Sequence, residues 1–343
     1  NTIVGAQAGD ALTTGDRNVA VGHFALSAET TGYRNVAVGA EALLSLNAGA
    51  NYNTALGDSA GEALTTGSNN VFVGGLSGDQ LLTGSQNVAV GYAALGSANG
   101  SEGRNVAVGY NALLAQDGDG NAYNTAVGYQ AGNAITTGTN NTLIGGLAGD
   151  ALTTGSDNVV LGYAALSSAN AGNRSVAIGS SALNAQNAGS AGQNMYNVGI
   201  GYNAGGSITT GVNNVIMGGL AGDALTTGAY NIAIGYQALS TEDTGSTSIG
   251  IGYYALQAQN NAANNYNIGI GHSAGAAIST GIQNTLIGGL AGDALTTGSY
   301  NQAFGYNALG AETGASRSTA IGYFALAVQN VGSGEANNVA IGH

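Results

Sequence analysis

The chain contains no cysteine, no proline, no tryptophan and no lysine. Without cysteine there is neither a disulfide framework nor a thiolate metal site. Only 7% of the 343 residues are charged, and five arginines face 18 acidic residues, for a formal net charge of −13. So little positive charge excludes a protein that binds nucleic acid by displacing counterions. Apolar runs stay far below the ~18 residues of a membrane span, so no membrane insertion is expected. Collagen is excluded because proline is missing and glycine does not recur every third residue. Disorder fits poorly, since 44% of the residues are hydrophobic and they recur on a fixed beat.

What is abundant is glycine, at 61 residues, and it is periodic. The unit Asn-x-x-aliphatic-Gly recurs twenty times, with anchor glycines from Gly5, Gly22 and Gly39 to Gly322 and Gly342, most of them 17 residues apart. Four residues before the anchor stands Asn, replaced only by Ser175, Ser248 and Ser318. Three residues after it stands Ala, replaced only by Ser77. The units fall into four types that return about every 70 residues. Two types carry a Leu four residues after the anchor, as at Leu95 and Leu113. The other two have Gly there and a Leu or Ile three residues later, as at Leu64, Ile135, Leu152 and Ile208. One large core residue per unit is thus supplied from either of two places.

Short β-branched segments bounded by turn residues read as strands, and so much Gly, Val, Thr and Asn argues against helix. The expected fold is all-β, a parallel β-solenoid of about twenty 17-residue coils forming one domain over 1–343. Stacked at about 4.8 Å, the coils would make a rod of roughly 95 Å, with the Asn residues in a vertical hydrogen-bonded ladder. Ordinary solenoids carry atypical end caps. None is recognisable, so the chain reads as an excerpt of a longer fibre.

At "NVAVGYNAL" and "NTAVGYQAG" the sequence resembles the head repeats of YadA-like trimeric autotransporter adhesins, and the repeats of bacteriophage tail-fibre shafts. The resemblance covers the whole chain at its Asn, aliphatic, Gly and Ala positions. It implies a left-handed β-roll, a parallel homotrimer, extracellular exposure on a virion or bacterial surface, and adhesion to a cell-surface glycan or receptor.

The residues give their own reasons to expect association. In the "GGLAGD" units the position two before the anchor enlarges to Phe72, Leu143, Ile216 and Leu286, and two after it stand Leu76, Leu147, Leu220 and Leu290. Alternation along a strand would set these opposite a core of Val and Ile. Such a pair is a partner-facing contact or a second core layer, and we take the first as the expectation. For receptor contacts the candidates lie in the length-variable loops before one unit type: Tyr52, Asp117, Asp119, Tyr123, Met195, Tyr196, Asn265 and Tyr266. Insertions confined to one side of a solenoid are characteristic of its surface.

Other constellations read as structural. Tyr follows the anchor in nine units, and His23, His272 and His343 occupy the same slot, as aromatic spacers. Arg34, Arg104 and Arg174 stand one coil below Tyr52, Tyr123 and Tyr196, which predicts cation–π contacts, with Glu29, Glu102 and Glu312 near enough to pair with arginines. "GGLAGDAL" approaches a calcium-binding nonapeptide but lacks its third glycine and recurs only every fourth coil, so no metal and no cofactor is expected. Solitary carboxylates and the lack of Cys or Lys argue against an enzyme. Leu-Thr-Thr-Gly, as at 64–67 and 152–155, raises an ice-binding solenoid as a lesser reading, and a self-assembling extracellular filament is the alternative to the fibre.

Overall fold

A computed structural model describes residues 1–47, 49–118 and 120–343. It is all-β, a parallel β-solenoid of about twenty coils, and the described residues contain no helix. The coils belong to two compact units: residues 1–173 with 190–192, and residues 174–189 with 193–343.

Each coil contributes one three-residue strand that ends immediately before its anchor glycine. The first unit carries ten, from Thr2–Val4 to Val159–Leu161, and every neighbouring pair is parallel and in register. The second carries ten more, from Val176–Ile178 to Val339–Ile341, paired in the same way. A two-residue pair, Ala315–Ser316 with Gly334–Glu335, adds a second ladder there. Elsewhere the described residues of each coil form turns and bends, with isolated bridges such as Gly103 to Asn121.

The anchor must be glycine for two independent reasons. At Gly145 φ is +134°, where L residues are strained, and an added Cβ would lie 2.6 Å from the carbonyl oxygen of Gly162 in the next coil. The turns also hold side-chain-bearing residues in the left-handed region. In the Gly91 coil these are Gln86, Ala93 and Leu95. At roughly 1–2 kcal/mol each such residues are costly alone, and they persist because inter-coil hydrogen bonds fix the turn, for example Leu95 N–H to Ala112 O at 3.0 Å.

The face of the strand that points inward is the reverse of the expectation. The strand centre is buried and its two flanks are partly exposed: Ala37 is buried between Val36 and Val38, and Ala107 between Val106 and Val108. Phe72, Leu143, Ile216 and Leu286 occupy this central position and are fully buried inside their own coils. They are therefore core residues and not oligomer contacts.

The reason is volume. A coil this narrow has room for small residues at the strand centre and three after the anchor, plus a large one from the turn. Where Phe72 enlarges the centre, Gly61 and Gly78 make way, since an added Cβ would lie 2.8 Å from Phe72 Cδ2 and 2.7 Å from its Cδ1 respectively. Gly132 makes way for Leu143 in the same manner, at 2.6 Å. The expected exchange of the main core residue between two places holds: Leu95 and Leu113 fill some coils, Leu64, Ile135, Leu152 and Ile208 the others, and all are buried.

Candidate functional site

An Asn ladder forms the rigid back of each unit. The Asn87 backbone N–H donates to Asn70 Oδ1 at 2.9 Å, and Asn87 Oδ1 accepts from the Asn105 N–H at 2.9 Å. Asn87 Nδ2 donates to Glu102 O at 2.8 Å. Where serine replaces asparagine, a glutamine eleven residues on supplies the missing amide. Gln259 Nε2 donates to Ser248 Oγ at 2.8 Å, and its Oε1 accepts from Asn267 Nδ2 at 2.9 Å. Gln186 does the same for Ser175, and Gln329 for Ser318.

The loop candidates divide. Tyr52, Tyr123, Tyr196 and Tyr266 are exposed, each at a positive φ that turns its ring outward. Met195 and Asn265, immediately before Tyr196 and Tyr266, are fully buried and cannot meet a receptor. The left-handed Tyr that follows turns the preceding side chain inward, and Asn265 Nδ2 reaches the Glu242 carboxylate at 2.9 Å. Asp117 is exposed next to a cavity of about 140 Å³ between Gln116, Asn121 and Thr137. Asp119 lies outside the described residues.

Arginine and tyrosine meet as expected: the guanidinium carbons of Arg34, Arg104 and Arg174 lie 5.2, 5.3 and 5.9 Å from the ring centroids of Tyr52, Tyr123 and Tyr196. Each arginine also donates to the phenol oxygen. Arg317 instead pairs with Glu335 at 2.6 Å and lies over Tyr300. The glutamates proposed as arginine partners are buried. Glu29 Oε1 accepts the backbone N–H groups of Thr30, Thr31 and Gly32 at 2.7–3.0 Å, capping its turn from within. Glu312 does the same for Thr313, Gly314 and Ala315. Burial works to raise Glu312, but backbone bonds from Val331, Ala315 and Gly314 and the Gln329 amide outweigh it and hold its carboxyl below the usual range. At Glu242 burial wins and the carboxyl is raised.

The aspartates of "GGLAGD" are half-buried, and desolvation pushes Asp79 up to about 6 and raises Asp150, Asp223 and Asp293. No group of three His, Cys, Asp or Glu side chains with metal-binding geometry occurs among the described residues. The threonine columns are tied to the backbone: Thr65 Oγ1 donates to Leu82 O and Thr226 Oγ1 to Asp243 O, both at 2.8 Å. No described helix is long and apolar enough to cross a membrane.

The residues after the anchors form columns of stacked rings. Tyr92, Tyr110 and Tyr129 lie 5.6 and 5.5 Å apart, and Tyr236, Tyr253 and His272 lie 5.5 and 5.3 Å apart, with interplanar angles of 7–19°. This places His272 as one more ring in the aromatic column. No protein-family model and no curated protein matches the chain.

An extended apolar surface lies on the strand flanks, the residues expected in the core. The strand flanks make two outward columns of Val, Ile, Leu and Thr along each unit, and members such as Leu56, Val159 and Leu161 are 43–48% exposed. Leu76, Leu147, Leu220 and Leu290 are partly exposed as well. The signal was available in the glycines. All four large strand-centre residues occur in coils with Gly four residues after the anchor, which marks that centre as competing for interior volume.

Proposed function

We propose that the chain is a structural segment of a surface fibre or adhesin, extracellular, on a virion or a bacterial cell. It spans distance and presents repeated binding surfaces, works as a homotrimer and catalyses no reaction. The observation that carries this reading is the outward aliphatic face of the strands. Ten coils of partly exposed Val, Ile and Leu present one continuous apolar face along each unit, and a stable interface takes about 800 Å² from each partner. A continuous face of this kind seldom stays in water on a monomer. The left-handed β-roll and the three-fold arrangement come from the resemblance to adhesin and tail-fibre repeats, and affinity would then arise from many copies acting together.

Light scattering on the purified protein tests the proposal. A mass of three chains, reduced to one by Val159→Glu with Leu161→Glu while the β circular dichroism persists, is the expected result. A monomer at tens of micromolar overturns it. Long polymers of indefinite length would favour the filament instead.

A further inference from the structure

The stacked aromatic columns are interrupted by glycine at regular places. Gly146 lies between the coils of Tyr129 and Tyr163, Gly219 between those of Tyr202 and Tyr236, and Gly289 between those of His272 and Tyr306. We propose that each of these glycine-floored gaps is a binding slot for a pyranose ring of a glycan, held face to face between two aromatic rings. The inference deepens the fibre reading by naming a ligand class, and it rests on that reading only for the multivalency.

The gap is open. An added Cβ at Gly146 would meet only Tyr163 Cδ2, at 3.6 Å, and at Gly219 only the edge of Tyr236, at 3.6 and 4.0 Å. Each bordering ring has no ring neighbour on the side that faces its glycine.

The width selects the occupant. Two coil steps separate the bordering rings by ~10 Å, so a ligand centred on the glycine sits about 5 Å from each. A flat ring centred there stacks only loosely, as Tyr110 does 5.6 and 5.5 Å from its neighbours, short of the about 3.5–4.0 Å of close face contact between carbon atoms. A pyranose chair is thicker, with axial C–H groups projecting from both faces toward the electron-rich faces of the rings. The phenol hydroxyls at the rim can donate to and accept from sugar hydroxyls. A charged ligand is disfavoured, because the chain carries a net charge of −13. In the second unit the Gly219 and Gly289 slots lie four coils apart, ~19 Å, so one extended oligosaccharide can engage both and gain effective concentration.

The test fills the slots. None of the three glycines has a positive φ, and only ring edges lie near an added Cβ, so Tyr fits at each and continues the column. The probes are cellohexaose, maltohexaose, mannohexaose and chitohexaose. The readouts are saturation-transfer NMR and tyrosine fluorescence, which no tryptophan obscures. Saturable binding of at least one hexasaccharide is expected, weakened at least tenfold by the triple variant Gly146→Tyr, Gly219→Tyr, Gly289→Tyr with unchanged melting temperature. Tyr163→Phe, which keeps the ring face, should bind within about threefold of the parent.

Absence of saturable binding to all four probes overturns the proposal, and so does binding that survives the triple variant. A change of oligomeric state on filling the slots would also overturn it, by showing that a neighbouring copy occupies them. Sugar binding by a monomer would keep the slot and remove the trimer; a trimer that binds none would do the reverse.

Discussion

Serine at position 105 should be harmless, whereas serine at position 87 should be costly, although both replace an Asn of the same ladder. Asn87→Ser removes the acceptor of the Asn105 N–H, the donor to Glu102 O and a 3.2 Å contact from Nδ2 to Asn70 Oδ1. The position that holds a rescuing glutamine elsewhere holds Ala98 in this coil. The buried Asn105 N–H and Glu102 carbonyl each lose this bond, at ~1–3 kcal/mol each, so the expected loss is about 2–4 kcal/mol.

The Asn105 coil already contains such a glutamine. Gln116 Oε1 accepts from Asn124 Nδ2 at 2.7 Å, and Asn105 Nδ2 is buried with no partner among the described residues. Asn105→Ser loses the bond from the Asn124 N–H to Asn105 Oδ1 but also removes an orphaned donor, so the two terms of about 1 kcal/mol offset. Urea unfolding should separate the variants by at least about 2 kcal/mol, and native-state hydrogen exchange should show the Asn105 amide deprotected in Asn87→Ser. Because long repeat arrays need not unfold in one step, the exchange measurement decides. Equal costs for the two variants would refute the idea that glutamine substitutes for the ladder amide.

Three further outcomes follow from the geometry. Asp79, Asp150, Asp223, Asp293 and Glu242 all have raised folded-state pKa values. Between the unfolded value near 4 and the Asp79 value of about 6, the folded chain binds more protons, so stability falls as pH rises. The melting temperature should therefore climb from pH 7 to pH 5, with Asp79 contributing roughly 1 kcal/mol after solvent screening, and Asp79→Asn should flatten the profile. Phe72→Ala should cost about 3–5 kcal/mol as a core truncation, independently of protein concentration; a concentration-dependent loss would return Phe72 to an interface. Gly145→Ala should unfold its neighbourhood at a cost above ~3 kcal/mol, read as lost amide protection around Thr142–Ile144, because backbone strain and the clash with Gly162 act together.

Periodicity made the coils, their number and the Asn ladder legible, because stacking like on like writes each column into the sequence. Alternation predicted that neighbours in a strand face opposite ways, but not which way, and hydrophobicity alone chose Val and Ile for the interior. The interior chose Ala, since a coil with a three-residue strand has room for few large side chains. Met195 and Asn265 were misplaced for a related reason: the left-handed turn at Tyr196 and Tyr266 reverses the side-chain direction, and nothing in residue type announces that. The Arg–Tyr pairs were legible because a fixed offset between columns becomes a contact in any stacked array.

The in-register pairing of every coil has a consequence for how such a chain changes over generations. Loops between anchors vary in length, yet the strands on either side still align residue for residue. Within each unit the described strands pair with the strand of the coil before and the strand of the coil after. Duplicating or deleting one whole four-coil block therefore recreates junctions that already exist, and no buried contact has to be invented. Removing a single coil makes a new junction, in which a large strand-centre residue can lose the glycine that accommodates it. Blocks of about 70 residues are thus the units in which this fold can be lengthened or shortened without a search for compensating substitutions.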